Sequence, residues 1–355
     1  MKYAKNIRAF LCGFLSLVIC IFAVFCVNTR AVSCLDIKND VVMVSLFGIM
    51  KNQKSENSDK ATTTTKTSST AKKSTDSKSD VENKSETVKP KKDKSDEKTY
   101  PINETTLGGG DFSYGDFDVR NSTYYDMDVK SLLESPLPFD FKDTRETQVL
   151  IVHTHSSESY MESDDGYYAE SFYPRTTDND KNVIAVGDMI ADTLKENGIG
   201  VVHAKTVHDH PSYDGAYSRS YDTIMSYLEK YKDIKVVLDI HRDSMTAEDM
   251  TKIKPTFTYK GKKGAQIMIM TGHNEDGSFP TWEENLNFAL KLQNECESAY
   301  SSMTRPLYFG DFTYNMNVNS GSLLVEVGTD ANTLDEALYS GKLFAKALSR
   351  VLQNG

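Results

Sequence analysis

Cysteine is scarce in this chain, with five among 355 residues, and Cys12, Cys20 and Cys26 fall inside one apolar run, leaving Cys34 and Cys296 beyond it. That excludes a disulfide framework. Cys296 sits in a helix-patterned segment (NLNFALKLQNECESAY), where a buried core thiol is expected rather than a nucleophile. A G-x-G-x-x-G turn and a P-loop are both lacking, which argues against nucleotide cofactors. No G-x-S-x-G elbow is present, so Ser156 and Ser157, although near histidines, are poor candidates for a serine nucleophile. Residues 51–98 lack aromatics and nearly lack aliphatics. Such a stretch cannot bury enough surface to offset the entropy of folding, and it reads as a disordered Ser/Thr/Lys-rich tether. Beyond Thr99 there is no basic excess; the formal charge of −10 gathers there, because the first 50 residues and the tether are net basic. An acidic domain lacks the footprint for nucleic acid, which is not expected as a partner.

What the chain does have begins with Ala9 to Val27 (AFLCGFLSLVICIFAVFCV), an apolar run long enough to cross a bilayer. Lys2, Lys5 and Arg8 precede it, so residues 1–8 are expected in the cytoplasm, 9–27 as a transmembrane anchor and the rest outside. A cleaved signal peptide is the competing reading, but the run exceeds the roughly 7–15 residues of a signal core and no small-x-small site follows closely. Residues 28–98 form the membrane-proximal segment and tether. Residues 99–146 regain aromatics without a clear period and are expected to be irregular, either packing on the domain that follows or docking a partner.

From residue 147 to 355 strand-like runs alternate with amphipathic helices, which predicts an α/β domain with a mostly parallel central sheet flanked by helices. QVLIVHTH, GVVHA, KVVLDIH, AQIMIMTG and SLLVEVG are the strands. Asn197-Gly198 suits a helix C-cap and Thr333 an N-cap.

In such sheets ligands sit beyond the carboxyl ends of the strands. Three strands end in residues of metal-site type: His153-Thr154-His155 with Glu158 shortly after, Asp239-Ile240-His241, and Glu326. A hydrolytic zinc site needs about three protein ligands and one open position. His155, Glu158 and His241 supply that set for Zn2+, with Glu326 as the catalytic base that takes a proton from the metal-bound water. His153 alternates with His155 and is read as a neighbouring or structural histidine. His203, His208, His210 and His273 are expected in surface or hydrogen-bonding roles. Arg242 and Asp243 either form a salt bridge that orients the loop or supply a carboxylate behind the ligands.

At VLIVHTHSSESY, VVLDIHRDS and LLVEVG the chain resembles the stage II sporulation protein P family, over roughly residues 145–355. More distantly it looks like the zinc N-acetylmuramoyl-L-alanine amidases, which implies an amidase- or zinc-carboxypeptidase-like fold. The resemblance implies cleavage of the amide between N-acetylmuramic acid and L-alanine in peptidoglycan, with endopeptidase action on cross-links as a further activity. It also implies a role in forespore engulfment at the mother-cell membrane, facing the septal wall, with stage II sporulation proteins D and M as partners. One departure stands out. Wall amidases carry their Glu ligand at the start of the following helix, where this chain offers Asp178 or Asp180; Glu158 is kept, with Asp178 in reserve. The rivals are a zinc carboxypeptidase, which needs an arginine such as Arg175, Arg219 or Arg242 to grip a carboxylate, and a catalytically silent scaffold.

Overall fold

The computed structural model describes residues 97–142, 146–274 and 276–354. The expected N-terminus 1–8, the anchor 9–27 and nearly all of the 28–98 tether lie outside them. Among the described residues, no helix is long and apolar enough to cross a membrane.

The strands are β1 (Thr99–Thr105), β2 (Phe112–Tyr114), β3 (Phe117–Asn121), β4 (Thr147–Val152), β5 (Tyr167–Ala169), β6 (Gly200–His203), β7 (Val236–Asp243), β8 (Lys252–Tyr259), β9 (Lys262–Ala265), β10 (Ile267–Gly272), β11 (Leu307–Gly310) and β12 (Ser322–Thr329). The helices are α1 (Val129–Glu134), α2 (Val183–Glu196), α3 (Ala216–Lys230), α4 (Trp282–Ala299) and α5 (Leu334–Asn354).

The main sheet runs β2-β3-β11-β10-β12-β7-β4-β6. It is mixed rather than mostly parallel throughout, because β10 lies antiparallel to β12 and β2 to β3. The long β7, β4 and β12 strands at its centre are parallel, as their unbroken apolar runs predict. A second sheet, β5-β1-β8-β9, has no counterpart in the sequence reading. Residues 99–146, expected to be irregular, supply β1 to this small sheet and β2 and β3 to the edge of the main one. A boundary at residue 147 would therefore cut through hydrogen-bonded strands.

Alternation along the central strands explains where the site falls. Val149 and Ile151 of β4, Leu238 and Ile240 of β7, and Leu323, Val325 and Val327 of β12 join one core with residues of α2, α4 and α5. Leu150, Val152 and Val237 pack on the other face against Ile224 of α3, and Leu324 packs with Phe279 and Met316. Side chains two residues apart on a strand share a face. Asp239 and His241 therefore follow Val237, and Glu326 follows Leu324, onto the α3 side.

The helix ends carry the chemistry their sequences suggest. Asn182 caps α2 by accepting from the Ile184 amide at 2.9 Å, and Gly198 follows its end at φ +82°. Thr333 and Glu336 form a reciprocal capping box on α5, with bonds of 3.0 and 3.3 Å. Inside α2, Gly187 permits a close approach, because a Cβ there would stand 2.6 Å from the Nε2 atoms of both His153 and His203.

Cys296 is fully buried in α4, and burial first, then the Glu297 and Glu295 carboxylates, pushes its thiol far above the ordinary range. In native protein it should react with a thiol reagent such as dithionitrobenzoate at less than about a hundredth of its rate in denaturant, since the thiolate is the nucleophile. Equal rates would show that α4 opens readily.

Candidate active site

The chain leaves β4 at Val152 and turns through His153–Glu158, a segment bracketed by residues 174–183. Thr176 N donates to Ser157 O, Val183 N to Glu158 O, and Ser159 N to Pro174 O. This bracketing turns Glu158 back over the end of β7. Its Oε2 stands 3.5 Å from His241 Nδ1 and accepts from the Arg242 amide at 3.1 Å. His155 completes the group, its ring 5.4 Å from that of His241 and nearly perpendicular to it. Glu326 comes from the next strand. It pairs in register with His241 across the parallel β12–β7 ladder, so the two side chains rise side by side from one face. His155, Glu158, His241 and Glu326 are all buried.

Electrostatics divides their states. Burial pushes His155 down to about 4, against the pull of Glu158, so it is neutral at pH 7. Burial would raise Glu158, but the cations and imidazoles around it, Arg242 foremost, hold its carboxyl well below the usual range. His241 is opposed by burial yet raised well above 6.5 by Asp239 and then Glu158. Burial, reinforced by the Asp243 carboxylate, lifts Glu326 well above 4.5.

Among the described residues, no three or more His, Cys, Asp or Glu side chains are placed closely enough to hold a metal ion as they stand. Their chemistry nevertheless fits zinc. His155 Nδ1 is buried without a hydrogen-bond partner, the His241 ring stands 5.4 Å from that of His155, and Glu158 Oε2 is 3.5 Å from His241 Nδ1, so two imidazoles and a carboxylate of the kind zinc takes lie together. The reserve carboxylate Asp178 is exposed, and its Oδ1 accepts from the Asp180 amide.

His153 is committed elsewhere. Its Nδ1 donates to Ile240 O at 2.9 Å and its Nε2 meets His203 Nε2 at 2.7 Å, while burial and then His203 push it down to about 3. His208 Nδ1 donates to the His153 carbonyl, and His273 pairs with Asp311. Ser156 and Ser157 both direct their hydroxyls to Asp209, which removes them as nucleophiles. Asp243 pairs with Arg305 at 2.9 Å rather than with the histidines.

The sequence reading named Asp239 only as part of a strand end and Arg175 only as a candidate grip for a carboxylate, and it did not single out Tyr213 or Asp209. Asp239 Oδ1 lies 2.9 Å from His241 Nε2, outside hydrogen-bonding geometry, while Thr154 N and Oγ1 donate to the same carboxylate at 2.8 and 2.6 Å. The Asp-x-His alternation was the available signal, since it sets both side chains on one face of β7. Tyr213 stacks flat on His155 at 4.4 Å, with its hydroxyl 3.1 Å from His155 Nε2. Arg175 lies over the Tyr213 ring and pairs with Asp209 at 2.9 Å. Nothing in the local sequence marks Tyr213 or Asp209. Together with Ser157, His210 and Pro211 these residues line an open cleft of about 600 Å³ beside the cluster.

The fold and site define an α/β protein with paired imidazoles and carboxylates gathered at the carboxyl ends of its central strands. The chain belongs to the stage II sporulation protein P family, whose model matches residues 29–349. It is 30% identical over 214 residues to stage II sporulation protein P of Bacillus subtilis (strain 168), covering 57% of this chain and 50% of that one. The chain thus spans about half the length of the curated relative it matches. Among solved structures it is similar to an N-acetylmuramoyl-L-alanine amidase from Clostridium difficile 630, at 15% identity and a TM-score of 0.33, over 59% of this chain and 97% of that one. A similar likeness, 12% identity and TM-score 0.32, covers 58% of this chain and 96% of amidase AmiC2 of Nostoc punctiforme.

Proposed function

We propose that this protein is a zinc-dependent peptidoglycan hydrolase, an N-acetylmuramoyl-L-alanine amidase that acts in spore engulfment. The observation that carries the reading is the register of β12 on β7, which sets Glu326 beside His241, whose Nδ1 stands 3.5 Å from Glu158 Oε2. His155, Glu158 and His241 would hold the ion, which when bound supplies a Lewis acid and a water of lowered pKa. Glu326 takes the proton of the attacking water and passes it to the leaving amine. Family membership supports peptidoglycan as the substrate; attachment to the mother-cell membrane through the apolar run 9–27, action on the septal wall and partnership with stage II sporulation proteins D and M complete the proposal.

The arginines favour an amidase over a carboxypeptidase. Arg219 donates to the carbonyls of His208 and Ser212, Arg242 to those of Ser159 and Pro174, and Arg175 is paired with Asp209. Arg219 and Arg242 are thus committed to backbone carbonyls, and the one arginine that lines the cleft, Arg175, already has its charge paired by Asp209.

The test is zinc content and muropeptide release by the purified full chain beside His241→Ala. One zinc per wild-type chain, glycan strands freed of intact stem peptides, and loss of both in the variant are the expected results. Zinc-free wild type, or release by His241→Ala at the wild-type rate, would discard this ligand set. Release of terminal amino acids alone would move the carboxypeptidase to the front.

A further inference from the structure

Beside the candidate ligands and base, another buried group has no partner: the hydroxyl of Tyr217. Tyr217 is the second residue of α3, the helix that covers the His241 face of the sheet. Its ring meets His155 edge-on, with centroids 5.5 Å apart and planes at 85°. On its other side it stacks against Tyr314 at 5.1 Å.

The first turn of α3 is clamped in place. Asn315 Nδ2 donates to Tyr217 O and to Ser220 Oγ, each at 2.9 Å. Thr154 Oγ1 lies 2.6 Å from both Ser220 Oγ and Asp239 Oδ2, tying the same turn to the strand ends that carry His155 and His241. Tyr314 and Asn315 hold φ values of +38° and +60°, a conformation disfavoured for residues with side chains. Strained backbone is thus spent on holding the Tyr217 ring at a fixed place and angle.

For packing alone the hydroxyl is a liability. Phenylalanine would give the same ring contacts without burying a donor that has no acceptor. A hydroxyl lacking an acceptor of its own, on a ring held edge-on to the candidate ligand His155, supplies the kind of donor that stabilisation of a developing oxyanion requires.

We propose that Tyr217 is a further catalytic residue, donating its O–H to the carbonyl oxygen of the scissile amide and more strongly to the oxyanion formed from it. The proposal rests on the zinc amidase reading above. As water adds, its oxygen bonds to the carbonyl carbon, the carbonyl π pair moves onto oxygen, and the water proton passes to Glu326. On collapse the C–N bond breaks, the amine leaves with the proton from Glu326, and a carboxylic acid remains. Tyr217 keeps its proton throughout; only its hydrogen bond strengthens.

The experiment compares the full zinc-loaded chain with Tyr217→Phe on a muramoyl-peptide fragment of defined length. A fall in kcat of about 10²- to 10³-fold is expected, the loss seen when one oxyanion donor is removed. KM and zinc content should stay at wild-type values, and the thermal midpoint should stay level or rise, because a buried hydroxyl without an acceptor is removed. A phosphinate analogue of the muramoyl-alanine linkage, used as a competitor that mimics the tetrahedral oxyanion, should bind the variant correspondingly less tightly. A variant kcat within about threefold of wild type overturns the proposal, as does a raised KM with unchanged kcat, which would mark uniform binding. A wild-type chain without amidase activity overturns the parent reading instead, and Tyr217 falls with it.

Discussion

Glu326→Gln is expected to lower peptidoglycan cleavage by roughly 10²- to 10⁴-fold, the usual contribution of a positioned acid-base group, while zinc content stays at the wild-type level. Glutamine keeps the shape of the side chain on β12 and its place beside His241 but can neither take nor return a proton. The same substitution has a second consequence in metal-free protein. Burial and then Asp243 raise the Glu326 carboxyl above its unfolded value, so the folded state holds a proton that the unfolded chain has released. Stability from this group is therefore present below the ordinary carboxylate range and is lost as pH climbs toward the raised folded value. The E326Q variant escapes that decline. Denaturation followed by fluorescence of Trp282, the chain's single tryptophan, should give similar midpoints for both proteins near pH 4 and a growing advantage to the variant as pH rises. Midpoints that stay parallel across the pH range would mean that Glu326 is not desolvated. Undiminished cleavage by the variant would remove it from the mechanism.

Arg242→Ala is expected to cost about 3–5 kcal/mol of stability, the range for breaking one partner out of a buried ion pair. The Arg242 side chain is 1% exposed. Its guanidinium donates to Ser159 O at 3.0 Å and Pro174 O at 2.6 Å, and its charge is the largest influence holding Glu158 ionised against burial. Alanine would leave two carbonyls unpaired and a carboxylate desolvated, so the 155–159 turn loses its hold on residues 174–183. Adding Glu158→Gln to the variant should recover part of the loss, because the uncompensated charge disappears while the missing hydrogen bonds do not. Urea midpoints of the two single variants and the double variant measure this. Strictly additive losses would show that Arg242 acts only through the carbonyls.

The site was legible in the sequence to the extent that it sits on strand ends. HTHSSE, DIH and VEVG each follow an apolar run; strand alternation puts His241 and Glu326 on one face, while the turn held by residues 174–183 brings His155 and Glu158 to them. What sequence could not supply is adjacency. Glu326 meets His241 because β12 pairs directly with β7, whereas the antiparallel β10 intervenes before β11, an order no local pattern encodes. Asp239 was written in the chain two residues before His241, and strict attention to the period of 2 would have set it on the same face. Tyr213, Tyr217 and Arg175 come from a loop, a helix start and a second loop; each reaches the site through long-range packing, and their local sequences look like ordinary surface.

The fold itself was legible wherever elements were long and amphipathic, as in α2, α4 and α5. It was not legible at β1, whose TYPINET sequence has a proline and no strong alternation. Its partners β8 and β5 lie roughly 150 and 70 residues further along, and those pairings rather than propensity make it a strand.

That same strand is where the chain enters the described fold. The first three residues of β1 are bonded to β5 and the last four to β8, so neither flank alone holds the entry point. Force arriving from the N-terminal side along the strand axis would load two rows of hydrogen bonds side by side, as a lap joint is loaded, instead of opening them one after another. β8 in turn pairs with β9, and its Ile253 and Pro255 carbonyls accept hydrogen bonds from Thr329 Oγ1 and Asn332 Nδ2 at the end of β12 that bears Glu326. The entry of the chain into the described fold and the seat of its proposed base thus share one short path through the protein.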